Sequence, residues 1–114
     1  MAESQLDLEK DRVKRVDRLK QMLPDVMTAA SSVTEAVYKD GALSTRVKRL
    51  IALAIALGAG CRNCQLAQTT YALKAGATKD EILETISVVL SMRGTTGAGE
   101  SLRVIQLLEE LGKL

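Results

Sequence analysis

Apolar side chains recur at helical spacing almost from the start of this chain. Between residues 5 and 23, Val13, Val16, Leu19 and Leu23 form a stripe, preceded by Leu6, against a charged opposite face. That pattern predicts a solvated surface helix. Pro24 punctuates it and suits the first turn of a second helix. The second helix is expected to run to about Lys39, with Val26, Met27, Val33, Val37 and Tyr38 as core positions, before Asp40-Gly41 breaks it. Ser44 is a fitting N-cap for a third helix. Its first turns, TRVKR, are polar, but LIALAIAL at residues 50–57 is apolar on every side. A helix with no polar face must be buried all round. A small domain buries only a modest fraction of its surface, so a single subunit encloses such a helix with difficulty. The expectation is a homo-oligomer whose interface covers part of the third helix. The alternative is a central helix wrapped by its neighbours within one subunit.

Gly58 and Gly60 are expected to end the third helix. A fourth should run from Cys61 or Arg62 to Lys74 and stop at Gly76, a natural left-handed cap. Thr78 to Glu81 reads as a capping box opening a fifth helix, whose apolar stripe is Ile82, Leu83, Ile86, Val89 and Leu90. The stretch GTTGAG at residues 94–99 interrupts it, either as a loop or as a glycine-kinked piece of helix. Its glycines lack the strand–GxxxxGK[ST]–helix context of a phosphate cradle. A last helix from Glu100 to Leu111 closes the chain. No stretch carries a strand signal. The fold class is therefore all-α: one domain, residues 1–114, of about six helices.

Composition narrows the function. Apolar residues are 46% of the 114, yet the only aromatics are Tyr38 and Tyr71, so the core is aliphatic, as suits helices better than sheets. The net charge of +2 is small and mixed in sign, with no basic block or stacking platform for nucleic acid. The longest apolar run falls short of the roughly 20 residues that span a bilayer. The charged opening, MAESQLDLEKDRVKR, lacks the apolar segment of a signal peptide. A cytoplasmic protein without membrane contact is expected. In that compartment a cysteine pair is more often reactive or metal-binding than structural. Histidine is absent, which removes the commonest general base and the commonest metal ligand.

The chemistry concentrates in GCRNCQLAQ, residues 60–68, which holds the only two cysteines, Cys61 and Cys64. Residues three apart lie on one face of a helix, close enough for a short disulfide. The helix start offers unpaired N–H groups and a partial positive charge, and both favour thiolate over thiol. Arg62, between the cysteines, adds a formal charge. One sulfur could then attack a peroxide or disulfide and the other resolve the product. Two other readings stand beside this one. Free cysteines pack well in cores. Structural zinc usually takes four Cys or His ligands, so only a site shared between subunits could complete it here.

The run GALSTRVKRLIALAIALGAGCRNCQLAQTTYALKAGATKDEILE, about residues 41–84, resembles the core of the carboxymuconolactone decarboxylase family, in its alkylhydroperoxidase-D-like branch. The shared elements, in order, are the apolar helix, CxxC, a helix ending in Ala-Gly, and a Thr-x-x-Glu-Ile-x-Glu start. The resemblance implies an all-helical subunit assembled as a trimer or as a hexamer. It implies thiol peroxidase or disulfide reductase chemistry on a hydroperoxide or disulfide substrate. No bound cofactor or metal is implied, but an external thiol reductant is. It makes Cys64 the sulfur oxidised to sulfenic acid, and Cys61 the one that donates a proton and closes the disulfide. A helix-dipole argument alone would favour Cys61 as nucleophile.

The sequence departs from the peroxidase motif at two places. The motif has a histidine four residues after the second cysteine and a glutamate twelve before the first. Gln68 and Arg49 stand there. Gln68 can hydrogen-bond but accepts no proton at neutral pH. Two readings follow. The chain is a redox-silent binding or scaffold relative, or Arg49 replaces the proton relay by stabilising a thiolate directly. Arg49 could also hold a substrate carboxylate, or simply be a solvated residue of a polar first turn beside Arg46 and Lys48. The family's other chemistry, lactone decarboxylation, would have only Glu35, Tyr38, Tyr71 or Glu100 to move protons.

Overall fold

The computed structural model describes residues 3–114, which fold into five helices with no strand among them. These are α1 (Gln5–Met22), α2 (Pro24–Val37), α3 (Thr45–Ala59), α4 (Arg62–Lys74) and α5 (Lys79–Glu110). Side chains that the sequence marks as caps hold the helix starts. Ser44 accepts the N–H of Val47 at 3.1 Å, and Ser4 does the same for Asp7. Thr78 and Glu81 close a reciprocal capping box at 3.1 and 2.9 Å. Replacing Thr78 by alanine is expected to cost about 1 kcal/mol of stability, read from denaturant unfolding.

The last two expected helices are the two parts of α5, joined through a kink at Gly94. Residues 95–99 are helical, so Glu100 lies inside α5 and starts nothing. One residue, Gly94, breaks the regular path of α5, with φ 56° and ψ −133°. The kink brings the two parts of α5 together. A Cβ on Gly97 would lie 3.1 Å from Val89 Cγ1 and 3.2 Å from the Val89 carbonyl oxygen. The core forms where α3 meets both parts of α5: Leu53, Leu57, Ile82, Ile86, Val89, Val104 and Leu108. Helix α4 lies on α3 and α5, and α1 crosses α4 and α5.

The core assignments on α2 fail within one subunit. Helix α2 packs against α1 alone among the helices. Val26, Val33 and Val37 are therefore exposed, and Met27 and Tyr38 are half-buried rather than core. The apolar run of α3 is buried on one side only: Leu53 and Leu57 are fully enclosed, while Ile51 and Ile55 are 43% and 66% exposed. Val13, Leu19, Leu23 and Leu90 are also exposed, although each sits in an apolar stripe. Among the described residues no helix is long and apolar enough to cross a membrane.

Candidate functional site

The turn from α3 into α4 gives the cysteines their geometry. Gly60 ends α3 in the left-handed conformation (φ 73°), which a residue with a Cβ adopts only at a cost. The next N–H, that of Cys61, donates back to the Ala56 carbonyl at 3.0 Å. Cys61 is thus the last residue of one capping motif and the first of the next, because it is also the N-cap of α4. Its sulfur takes the N–H of Cys64 at 3.3 Å, the place a serine or aspartate oxygen usually fills. Cys61 and Cys64 are joined as a disulfide, with Cα atoms 5.2 Å apart. Cys61 is half-buried and Cys64 is exposed. The pair therefore does not serve as core packing. No group of three or more His, Cys, Asp or Glu gathers to hold a metal among the described residues.

Cys64, Gln68 and Tyr71 follow one another at i, i+4 and i+7, so they share a face of α4. Arg49 reaches that face from α3 and donates from Nη1 to Gln68 Oε1 at 3.2 Å. The two departures from the family motif therefore meet as a hydrogen-bonded pair. The Arg49 guanidinium carbon lies 3.5 Å from the ring centre of Tyr38 and 4.4 Å from that of Tyr71. Both aromatic residues of the chain thus stack on one arginine, which is not a freely solvated side chain. Tyr71 carries Arg12 as well, 5.8 Å from its centre, and Arg12 is paired with the buried Glu9 at 2.6 Å.

Behind the cysteine turn lies a second polar cluster that sequence reasoning missed. Gln65 is fully buried. Its amide nitrogen donates to Glu100 Oε1 at 2.8 Å and to the Ala56 carbonyl at 3.4 Å, while its oxygen accepts from Arg103 Nη1 at 3.1 Å. Arg103 also pairs with Glu100 at 2.9 Å. Hydrogen bonds from Gln65 and Arg103, then the charges of Arg103 and Arg62, hold the Glu100 carboxyl below the ordinary glutamate range. The charge of Arg62 therefore acts on Glu100. Gln65 and Glu100 are thirty-five positions apart, and no local pattern links them. Gln68 and Tyr71 share the cysteine's helical face in the sequence, but nothing local brings Arg49 or Tyr38 to them. Of the proton carriers available to a decarboxylase, only Tyr38 and Tyr71 come together. Glu35 is exposed on α2, and Glu100 is tied to Gln65.

A groove of about 210 Å³ runs from α1 to the CxxC turn, lined by Leu8, Arg12, Val16, Leu19 and Asn63 among others. Asn63 stands between the cysteines in sequence, but neither cysteine lines the groove.

The sequence profile of the carboxymuconolactone decarboxylase family matches residues 24–107, most of the chain. The chain belongs to the carboxymuconolactone decarboxylase family. An apo protein of that family from Legionella pneumophila superposes with a TM-score of 0.89 at 29% identity, covering 98% of this chain and 100% of that one. Two relatives agree in extent. An uncharacterized protein of Cupriavidus necator is 37% identical over 93 residues, 78% of this chain and 82% of its own. An uncharacterized protein of the cox locus of Paracoccus denitrificans is 34% identical over 89 residues, 78% of each chain. For this carboxymuconolactone decarboxylase family member, the all-helical fold and the bonded Cys61–Cys64 pair are consistent with an alkylhydroperoxidase-D-like redox role.

Proposed function

We propose that the protein is a thiol-based oxidoreductase that reduces a hydroperoxide, or a partner's disulfide, through the Cys61–Cys64 pair. The observation that carries this is an exposed sulfur bonded to a half-buried one at a helix N-terminus. A purely structural disulfide has no need of exposure, and buried inert thiols would suit a scaffold. In the reduced protein the Cys64 thiolate attacks a peroxide oxygen. The O–O bond breaks, Cys64 becomes a sulfenic acid, and the alkoxide takes a proton from the Cys61 thiol or from water. The Cys61 sulfur then attacks Cys64, the disulfide closes and water leaves. An external dithiol returns the two electrons by thiol–disulfide exchange.

The motif's histidine and glutamate are replaced, so the motif's own relay does not take the proton of Cys64. The helix N-terminus and the cations Arg49 and Arg62 favour the thiolate in their place. Exposure supports the assignment in which Cys64 meets the substrate and Cys61 resolves. We also propose that the working unit is a homo-oligomer, a trimer or hexamer, in the cytoplasm. Ile55, Ala54, Val88 and Met92 line an almost wholly apolar groove of about 290 Å³ that one subunit leaves open to water.

Titration of thiolate absorbance, at about 240 nm, tests the chemistry on the reduced protein and on its Cys61→Ser and Cys64→Ser variants. Cys64 alone, in Cys61→Ser, is expected to titrate well below the unperturbed cysteine value of about 8.5. If neither single thiol titrates below that value, the site is not activated, and the scaffold reading takes its place.

A further inference from the structure

Three arginines of the chain are half-buried: Arg12, Arg49 and Arg103. Two of them have a carboxylate, Arg12 in Glu9 and Arg103 in Glu100. Arg49 has none among the described residues. Its one hydrogen-bond partner is the neutral amide oxygen of Gln68. A guanidinium partly removed from water normally gains an acid, because desolvating an unpaired charge is costly. Here the Tyr38 and Tyr71 rings both lie against the guanidinium, with centres 3.5 and 4.4 Å from its carbon. Stacking fixes the plane of the fork and leaves its edge for hydrogen bonds. The Nε and Nη2 groups on that edge have no acceptor among the described residues, yet they are not sealed from solvent, since among those residues the one fully buried side-chain polar atom without a partner is Gln5 Oε1. The neighbourhood adds positive charge. Arg12 and Lys74 lie 5.8 and 6.0 Å from the Tyr71 ring centre, and Arg12 is paired with Glu9.

We propose that the edge of Arg49 is a carboxylate seat that selects the substrate of the cysteine pair. The inference rests on the thiol reading above and names a substrate class for it: a hydroperoxide or disulfide carrying a carboxylate a few bonds from the bond to be reduced. The spacing follows from the helix. Gln68 lies one turn beyond Cys64 on the same face, about 6 Å along the axis. A planar fork accepts the two oxygens of a carboxylate in parallel, which sets direction as well as affinity. Anchored there, the substrate presents its reducible bond toward the exposed Cys64 sulfur.

Two disulfide reagents separate charge recognition from thiol reactivity. Dithiobis(2-nitrobenzoate) carries a carboxylate on each ring, and dithiodipyridine is neutral. With either, Cys64 attacks one reagent sulfur and releases the first thiol. Cys61 then displaces the second, so the dithiol's two electrons pass to the reagent and the Cys61–Cys64 disulfide forms. The readout is the ratio of the two second-order rates at low ionic strength. A change in Cys64 nucleophilicity cancels in this ratio. The expected ratio for the native protein favours the anionic reagent by about ten- to a hundredfold, the worth of one charged hydrogen-bonded contact. Arg49→Met should remove most of that preference. Gln68→Glu should remove it too, with Arg49 still in place, because the introduced carboxylate fills the seat from within. Arg18→Met, on an exposed face of α1, controls for net charge and should leave the ratio near the native value. A native-like ratio in Arg49→Met or in Gln68→Glu overturns the seat while leaving the thiol chemistry standing. If Arg49→Met does not fold, Gln68→Glu alone decides. If the neutral reagent also fails to react with the native protein, the thiol reading itself falls, and the seat with it.

Discussion

Replacing Cys64 by serine is expected to lower hydroperoxide consumption by the reduced protein by at least about a hundredfold, to the rate of buffer alone. The size follows from nucleophilicity: a hydroxyl with no base beside it is not ionised at neutral pH, whereas a thiol at a helix N-terminus is partly so. Cys61→Ser should behave differently. It keeps an oxygen that can cap α4, keeps the exposed Cys64, and lacks only the resolving sulfur. One equivalent of peroxide is then consumed in a burst and turnover stops, with Cys64 left as a sulfenic acid that dimedone can trap. Stopped-flow peroxide consumption with mass spectrometry of the trapped adduct checks both results. The reverse pattern, a burst in Cys64→Ser and silence in Cys61→Ser, would exchange the two roles. That outcome has a physical basis, because the Cys61 sulfur already takes an α4 N–H at 3.3 Å. Exposure and capping thus favour opposite cysteines, and the trapped adduct decides between them.

The second large effect concerns the backbone. Gly94→Ala is expected to destabilise the protein by about 1–3 kcal/mol, because φ 56° with ψ −133° is a combination that residues with a Cβ avoid. For a domain of this size that lowers the melting temperature by roughly 5–15 °C at fixed protein concentration. Gly99→Ala is the matched control. A Cβ there meets nothing within 4 Å, and the residue is helical, so alanine should be neutral or stabilising by up to about 1 kcal/mol. Thermal unfolding of both variants by circular dichroism makes the comparison. Equal melting temperatures would mean that α5 can straighten at Gly94 without loss. That would contradict the close packing of Gly97 against Val89.

Much of this was legible in local sequence because its causes are local. Capping at Ser44 and Thr78 depends on residues three apart, and so does the CxxC bond. Gly60 and Gly76 sit in the left-handed region where the chain needed it, with φ 73° and 94°. The glycine-rich stretch at 94–99 was ambiguous for a physical reason: three glycines allow a loop or a kink, and the close packing that goes with the kink is of Gly97 on Val89, eight positions earlier. The apolar stripes were read correctly as stripes, but periodicity says which residues share a face and not what covers that face. Val26, Val33 and Ile55 are therefore apolar, periodic and yet exposed in one subunit.

By itself, then, the sequence determined the helical class, most helix ends, and a cysteine pair at the start of α4. Each of these follows from interactions within about one or two turns of chain. The tertiary structure decided what surrounds that pair. It placed Arg49 on Gln68 between the only two aromatic rings, and it tied Gln65 beneath the cysteine turn to Glu100 and Arg103. These partners come from different helices, so their meeting depends on how α3, α4 and α5 pack, and no spacing along the chain encodes it.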